Sequence, residues 1–502
     1  MPLSVSWAAF LFTKAMTTTT ATAKLDNNSS WKRIVSAAYP LALIVVLGIN
    51  FLSRNGHDEQ RLHEIALLLA TGLMLVFTQS AALTAFLGAS WGGRALALFF
   101  AYGAVSATVA YAPAYAGVEV ALFLLLLTIA LAIADQIQRG GVPLMRTALQ
   151  AIGCAAVLHA VRIVVNYCAS FALGTHLEPI DFAPGFSNYR FFNHTQTVLL
   201  PLLVLLYCLT PLTSRLRYLW LAVVALWWLS IFATTGRGSF MGLAAGAVFA
   251  AIVLRRCAAG YLKAFALTFA GGIAMYVAFL VIVPVLAGVG SFGAFDNAIE
   301  RSRSDPASSR FLVWGNALGL IRDHPWFGVG PMHFAHDAPL SRIAAHPHNW
   351  VLQIAAEWGL PSLLLLGFAL FKGMRALVRS RTSMSSIECG NVVLPALLVA
   401  GAAVLVDGLV SGLIVMPQSQ LAIALYLGFA IAWVRMSAPV AQPPYAAGAV
   451  TRCANVLVLL VALVCLAKGV YPDVVELMND GTPNAAVNRG LRWPRLWELG
   501  LF

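Results

Sequence analysis

Charged residues are scarce in this sequence. They make up 10% of the 502 residues, whereas soluble domains carry about 25%. Hydrophobic residues account for 60%, and the mean hydropathy is +0.81. Continuous apolar runs of about 18 residues or more, each long enough to cross a bilayer as a helix, recur along nearly the whole chain. The composition therefore excludes a soluble globular protein and predicts an all-α polytopic membrane protein.

Several chemical signatures are absent too. The seven cysteines form no C-x-x-C pair, so neither a disulfide framework nor a zinc site is predicted. No D-x-D or E-x-D sequence occurs, although metal-dependent handling of a diphosphate usually uses paired carboxylates. A P-loop is also lacking. We therefore expect no metal and no cofactor. Membrane topology accounts for the net charge of +12, so no nucleic-acid partner is expected.

The apolar runs predict about twelve transmembrane helices, and a further run at 453–471 is a candidate thirteenth. The predicted spans are 34–52, 64–88, 94–112, 117–135, 147–173, 193–210, 217–234, 238–256, 261–286, 349–371, 391–411 and 417–435. The chain then divides into a disordered cytoplasmic tail at 1–33, a transmembrane bundle at 34–286, a long loop at 287–348, more of the bundle at 349–435 and a C-terminal segment at 436–502.

Positive charges predict the orientation. With the N-terminus in the cytoplasm, more than half of the 32 Lys and Arg residues fall in cytoplasmic segments, as the positive-inside rule requires. Short loops on the other face hold few, among them one with Arg61. The loop 174–192, the turn 234–239 and the long loop 287–348 then share the outer face.

Three arginines on that face run against the charge bias and need another explanation. Arg237 lies between two glycines in a turn, Arg310 lies at the start of a predicted helix, and Arg190 lies shortly before Asn193 and His194. Guanidinium groups bind diphosphate oxygens through paired hydrogen bonds. The three arginines, together with the neighbouring Asn193 and His194, are therefore predicted to bind substrate. The alternative is that each arginine only extends from a span end into the interface.

The segment His346-Pro347-His348-Asn349 closes the long loop immediately before a span. A neutral imidazole near its ordinary pKa can accept a proton from a hydroxyl. We therefore predict a catalytic role for His348 and substrate contacts for His346 and Asn349. The alternative is that one of the two histidines merely caps or hydrogen-bonds at the helix entrance.

The long loop is also predicted to contain short helices. One begins after a Ser308-Ser309 cap and ends before His324-Pro325. Its apolar residues follow helical spacing, so we expect it to lie against the membrane surface. These residues are Phe311, Trp314, Leu318 and Ile321. Arg310 in its first turn opposes the helix dipole, a local cost that is understandable if Arg310 faces an anion.

Ionisable residues also occur within the predicted spans. They include His159 and Arg162 in 147–173 and Asp407 in 391–411. Such groups usually face a polar cavity or a partner. An Arg162–Asp407 ion pair would be structural.

Four motifs together resemble the O-antigen ligase / O-antigen polymerase superfamily. They are Thr235-Gly236-Arg237-Gly238-Ser239, Ser309-Arg310-x-x-x-Trp314, Asp323-His324-Pro325-x-x-Gly328-x-Gly330-Pro331, and His346-Pro347-His348-Asn349-x-x-Leu352-Gln353-x-x-x-Glu357-x-Gly359-Leu360. The resemblance is strongest from about 234 to 367, and the layout of spans extends it over most of the chain.

The resemblance implies an inverting, metal-independent glycosyltransferase of the membrane-embedded type. The donor would be a glycan on undecaprenyl diphosphate, and the acceptor a sugar hydroxyl of lipid A–core. The reaction would take place on the periplasmic face of the inner membrane, among membrane lipids. It also implies that Arg237, Arg310 and His348 carry the catalysis.

Three alternatives remain at this point. A repeat-unit polymerase would use the same donor and a different acceptor. A protein O-oligosaccharyltransferase would too, although no added acceptor-protein domain is evident. A polytopic transporter is the non-enzymatic alternative, but no paired broken-helix pattern supports it.

Overall fold

The computed structural model describes residues 56–80, 82–288, 292, 310–337, 344–383, 387, 389–438, 448–479, 493–498 and 500. The predicted tail 1–33, the predicted span 34–52 and the Ser308-Ser309 cap lie outside the described residues. In the part of the chain that is described, the regular secondary structure is helical throughout, with no strands. The longer helices, and two short ones of the long loop, are α1 Gly56–Phe77, α2 Ala82–Ala89, α3 Trp91–Val109, α4 Pro113–Leu173, α5 Tyr189–Leu209, α6 Leu216–Ala233, α7 Arg237–Leu254, α8 Ala259–Tyr276, α9 Arg310–Asp323, α10 Phe334–Asp337, α11 Trp350–Trp358, α12 Leu360–Arg379, α13 Gly390–Asp407, α14 Pro417–Met436 and α15 Ala449–Asn479.

Ten helical stretches of the described residues are long and apolar enough to cross a membrane. Two of them are divided. Pro113–Leu173 is interrupted at Gly141, which has φ +64°, and Arg237–Leu286 contains α7 and α8 on either side of the turn Arg255–Ala258. Each predicted span except 34–52 therefore has its own apolar helix. This confirms the all-α polytopic class. All seven cysteines are unpaired.

One predicted span was wrong at both ends. The run 64–88 is not a single helix, because α1 ends at Phe77 and α2 begins at Ala82. At its other end, α1 begins at Gly56, so Arg61 lies inside the helix and is 1% exposed. The sequence had placed Arg61 in an outer loop, because a charge at a span end normally reaches water. Here the charge is retained in the bundle by buried partners.

The predicted span 349–371 is also divided. Gly359 separates α11 from α12 and adopts φ +85°. A Cβ atom at Gly359 would lie 1.9 Å from the carbonyl oxygen of Trp326. The chain therefore turns where only glycine allows both this backbone conformation and this close contact.

Helix α5 lies at the centre of the bundle, where 94% of the residues in its most apolar stretch are buried. It contacts α4, α6, α7, α8, α13 and α14. Helix α15 packs on α1 and α4. Near its start, the Thr451 carbonyl accepts a hydrogen bond from Thr84 at 3.1 Å, and near its end Asp473 accepts one from Tyr115 at 2.9 Å. The predicted run 453–471 is thus a helix that follows the length of the bundle.

Helix α7 packs on α13 through glycines spaced four residues apart. These glycines are Gly238, Gly242 and Gly246. A Cβ at Gly246 would lie 2.3 Å from the Val399 carbonyl oxygen, and one at Gly242 would lie 2.7 Å from the Ala403 carbonyl oxygen. Small residues at this spacing let two membrane helices approach backbone to backbone. The contact ends at Asp407, the last residue of α13.

Substitution of Gly246 by alanine tests this packing. We expect Gly246→Ala to lower the unfolding temperature, because the added methyl must separate the two backbones, at a cost of about 1–3 kcal/mol. Gly367→Ala is the matched control, since a Cβ at Gly367 in α12 meets no atom within 4 Å. Thermal unfolding of the detergent-purified variants measures both. Equal unfolding temperatures for the two variants would contradict the close packing.

Candidate active site

The turn before α7 meets the first turns of α5. Thr234, in the turn before α7, donates a hydrogen bond to the Asn193 side-chain oxygen at 2.9 Å. Ser239, in the first turn of α7, donates to the Asn193 carbonyl oxygen at 3.0 Å. Asn193 is 3% exposed. Asn193, a predicted substrate contact, therefore joins the Arg237 turn to α5.

Asp407 is the centre of this junction. Its Oδ2 atom accepts hydrogen bonds from Thr197 at 2.6 Å and Ser239 at 3.4 Å. The Nδ1 atom of His194 lies 3.9 Å from the same oxygen. Asp407 Oδ1 and His194 Nδ1 are buried and have no hydrogen-bond partner within the described residues. Buried polar atoms without a hydrogen-bond partner are unusual in a folded protein.

The glycines on either side of Arg237 are explained by these contacts. A Cβ at Gly236 would lie 2.6 Å from the Asn193 side-chain nitrogen, and one at Gly238 would lie 2.5 Å from Asp407 Oδ1. The glycines of Thr235-Gly236-Arg237-Gly238-Ser239 therefore allow the turn to approach α5 and α13 closely. Arg237 is the first residue of α7, and its side chain is exposed.

The histidine segment is held from two sides. The His346 ring packs on Gly412, where a Cβ would lie 2.4 Å from its Cε1 atom. His346 Nδ1 accepts a hydrogen bond from the His348 backbone N–H at 3.2 Å. On the other side, Trp314 of α9 donates its indole N–H to the Pro347 carbonyl oxygen at 2.9 Å. His348 itself has φ +53°, a left-handed conformation unusual for a non-glycine residue.

Asn349 caps α11. Its side-chain oxygen accepts hydrogen bonds from the backbone N–H groups of Val351 and Leu352, at 2.9 and 3.1 Å. The next residue, Trp350, donates its backbone N–H to the Gly408 carbonyl oxygen at 2.9 Å. The cap considered for a histidine is therefore provided by Asn349 instead. The histidines lie directly beside the end of α13.

The charges of two predicted arginines converge on His348. Burial lowers the pKa of His348 to about 4, and the positive charges of Arg310 and Arg190 add to this effect. Burial likewise depresses the pKa of His346 well below its ordinary value, with His348 and Arg495 contributing. Both imidazoles are therefore neutral near pH 7. Arg310 also acts electrostatically on His194 and Asp407.

Helix α9 spans Arg310–Asp323 and ends before His324-Pro325, as predicted. Its buried residues are Val313 and Ala317, which pack with Phe334 of α10 and Ala356 of α11. Two residues of the predicted apolar face, Phe311 and Leu318, are exposed. Contact of that face with lipid remains a prediction.

The remaining motifs form a joint between the long loop and α11. The backbone N–H groups of Val329 and Gly330 donate to the carbonyl oxygens of Ala356 and Glu357, both at 2.9 Å. A Cβ at Gly328 would lie 2.4 Å from the Glu357 carbonyl. Gly328 is therefore explained by packing on α11, whereas a Cβ at Gly330 would lie 2.3 Å from the Cβ of Ala110, directly after α3.

Some residues of the site were not predicted as such. Thr197 and Ser239 donate hydrogen bonds to Asp407. Asp407 does not form the ion pair with Arg162 that was considered for it. Glu59 is the acid that acts electrostatically on Arg162. A signal for α5 was present in the sequence, because five polar residues interrupt an apolar span there. They are Asn193-His194-Thr195-Gln196-Thr197.

Comparison with known proteins bears on this arrangement. Residues 202–367 match the O-antigen ligase family. The match confirms the resemblance over this stretch of the chain. The matched stretch includes Arg237, Arg310, His346, His348 and Asn349, whereas α5 residues up to 201 and Asp407 lie outside it. No curated protein matches the chain. Within the described residues, no group of three or more His, Cys, Asp or Glu side chains is arranged to hold a metal ion.

Two substitutions of Asn349 separate capping from substrate binding. We expect Asn349→Ala to destabilise the protein by about 1 kcal/mol, because the cap of α11 is lost, whereas Asn349→Ser retains it. Thermal unfolding and glycan transfer are measured for both variants. A stable Asn349→Ser variant without transfer would assign the amide N–H group to substrate. Equal unfolding of both variants would contradict the capping role.

Proposed function

We propose that this protein is an O-antigen ligase. It transfers an undecaprenyl-diphosphate-linked glycan to a sugar hydroxyl of lipid A–core on the periplasmic face of the inner membrane, with inversion and without a metal. The observation that carries the proposal is the convergence of Arg190 and Arg310, from separate segments, on the neutral imidazole of His348. Cations for a leaving diphosphate and a base for an acceptor hydroxyl are thereby within electrostatic range of each other.

The arginines stabilise the leaving group. As the bond from the anomeric carbon to the phosphate oxygen breaks, negative charge develops on undecaprenyl diphosphate. Arg310, Arg190 and Arg237 supply planar groups that form paired hydrogen bonds with phosphate oxygens. One such preorganised donor contributes about 3–4 kcal/mol to stabilisation of a transition state.

His348 accepts the proton of the acceptor hydroxyl as its oxygen attacks the anomeric carbon from the opposite face. Its depressed pKa keeps the ring neutral, and therefore able to accept a proton, at neutral pH. Binding of the anionic donor offsets the charges of Arg310 and Arg190. The pKa of His348 then rises, so the imidazole becomes a stronger base once the donor is bound.

Three rival functions make different predictions. A repeat-unit polymerase would join the same donor to another lipid-linked repeat, and a protein O-oligosaccharyltransferase would join it to a protein hydroxyl. A transporter would need no transfer chemistry. The position of the polar contacts, at the ends of α5, α7 and α13, favours an enzyme over a transporter with a site at mid-membrane.

Lipopolysaccharide banding in a deletion strain tests the proposal. Loss of long-chain bands with retention of lipid-linked polymer supports ligase. A ladder that stops at a single repeat indicates a polymerase, and unchanged banding with loss of glycosylated protein indicates a protein oligosaccharyltransferase. Transfer by the purified protein in excess chelator tests metal independence. Loss of activity that magnesium or manganese restores would overturn that part.

Substitution of the arginines tests the donor site. We expect Arg237→Ala and Arg310→Ala each to reduce transfer by about 10²- to 10³-fold, with poor rescue by Lys because it lacks the planar fork. Arg322→Ala is the matched control, since Arg322 lies on α9 as well and pairs only at the surface with Asp323. Near-normal transfer by both site variants at normal expression would remove these arginines from the mechanism.

The pH dependence tests His348. Because its pKa is about 4 before the donor binds, kcat/KM for the donor should stay level from pH 8 to about pH 5. An unperturbed imidazole would instead halve the rate near pH 6.5. The acidic fall in kcat, which reports the pKa of His348 in the donor complex, should occur at a higher pH than the fall in kcat/KM. His348→Ala should be inactive yet bind donor, and a half-maximal kcat/KM near pH 6.5 would contradict the lowered pKa.

A further inference from the structure

A second polar cluster lies behind the histidine segment, and the mechanism above does not use it. Its centre is Arg495, in the segment 493–498, which we call the C-terminal clasp. Arg495 is 6% exposed, and Trp493 and Trp497 on either side of it are 3% and 1% exposed. A charged side chain buried to this extent requires partners.

The clasp is bound to four helices. Arg61 of α1 donates to the Leu496 carbonyl oxygen at 3.1 Å, and the Glu498 backbone N–H donates to Asp58 of α1 at 2.7 Å. Trp497 donates to Asp473 of α15 at 2.8 Å. Arg495 reaches α4 and α11. These contacts fix the clasp in the same end of the bundle as the candidate active site.

Arg495 joins two carboxylates on different helices. Its Nη2 atom donates to both oxygens of Glu119 of α4, at 2.8 and 2.6 Å. The same atom donates to Oε2 of Glu357 of α11 at 2.7 Å, and Nη1 pairs with Oε1 of Glu357. Such paired contacts need a planar guanidinium, and a lysine ammonium cannot reproduce them.

Glu357 joins the part of the chain that carries Arg310 to α11, the helix that follows His348. Its Oε1 accepts a hydrogen bond from the Phe334 backbone N–H at 3.0 Å, and its carbonyl oxygen accepts one from Gly330 at 2.9 Å. Phe334 in turn packs with α9, the helix that begins at Arg310. At the other end of α11, about 10 Å from Glu357 by helical rise, the chain leads into His348.

We propose that Arg495 is a positioning residue for transfer: by joining Glu119 to Glu357, it holds α11 and α9 where His348 and Arg310 can act together. Trp350 anchors the start of α11. At its end, Val329 and Gly330 hold the helix to the long loop, and Arg495 is the second anchor, which joins Glu357 to α4. Loss of the second anchor lets α11 and the segment carrying Arg310 shift. A shift of about 1 Å at reacting groups can lower the rate by about 10²-fold. The catalytic consequence rests on the proposed function.

Three variants and one control test the proposal in the full-length protein. Arg495→Lys keeps the charge and removes the fork. Glu119→Gln keeps the Arg495–Glu357 pair and weakens the anchor to α4, and the double variant tests coupling. Arg435→Lys is the matched control, because Arg435 forms a partly buried ion pair with Asp135, also on α4.

We expect Arg495→Lys and Glu119→Gln to lower kcat of the folded protein by about tenfold or more, with donor KM within about threefold. The double variant should be little worse than either single one, since both act on one contact network. Arg435→Lys should keep kcat. Hydrogen exchange at 325–335 and 344–358 should become faster in Arg495→Lys and in Glu119→Gln, and should not change in Arg435→Lys.

The outcomes separate the two hypotheses. Unchanged kcat and unchanged exchange in Glu119→Gln and Arg495→Lys would overturn the positioning role, as would an equal loss of kcat in Arg435→Lys. If Arg495→Lys does not fold, Glu119→Gln alone decides. If the unmodified protein transfers no glycan to lipid A–core, the proposed function fails, while the exchange measurement still decides whether Arg495 positions α11 and α9.

Discussion

The close approach of α7 to α13 is the contact on which the candidate site depends. Glycines at every fourth position of α7 let the two backbones meet, and Asp407 at the end of α13 thereby reaches Ser239. Asp407 also holds Thr197 of α5. The histidine segment is held beside Asp407 as well, because the Trp350 backbone N–H donates to the Gly408 carbonyl oxygen directly after Asp407. A wider separation of these two helices would break the contact between Ser239 and Asp407.

Much of this architecture could be predicted from the sequence, for physical reasons. A helix that crosses a bilayer needs a long apolar run, so the spans can be identified from the local sequence. Helix α9 was predictable because a proline follows its end and apolar residues recur at helical spacing. Arg190 and Arg310 could be identified as candidates because positive charge on the predicted outer face opposes the topological bias. His348 could be identified because a neutral imidazole can accept a proton from a hydroxyl.

Other features could not be read from one chain. The contacts of Asp407 with Thr197 and Ser239 join residues 210 and 168 positions apart, and they depend on which helices become neighbours. The burial of Arg61 depends in the same way on partners at Gln420 and Leu496. Apolar periodicity shows that a helix has a buried face but does not name the helix that covers it.

The position of the C-terminal clasp has a consequence for biosynthesis. Ribosomes synthesise and insert a chain from its N-terminus, so α1, α4 and α11 are made before Arg495 exists. Until then, Glu119 and Glu357 have no guanidinium between them. If Arg495 positions α11 as proposed, the candidate site is complete only after α15 has been inserted. A nascent chain halted before residue 493 would then contain every proposed catalytic residue without the contact that holds them in place.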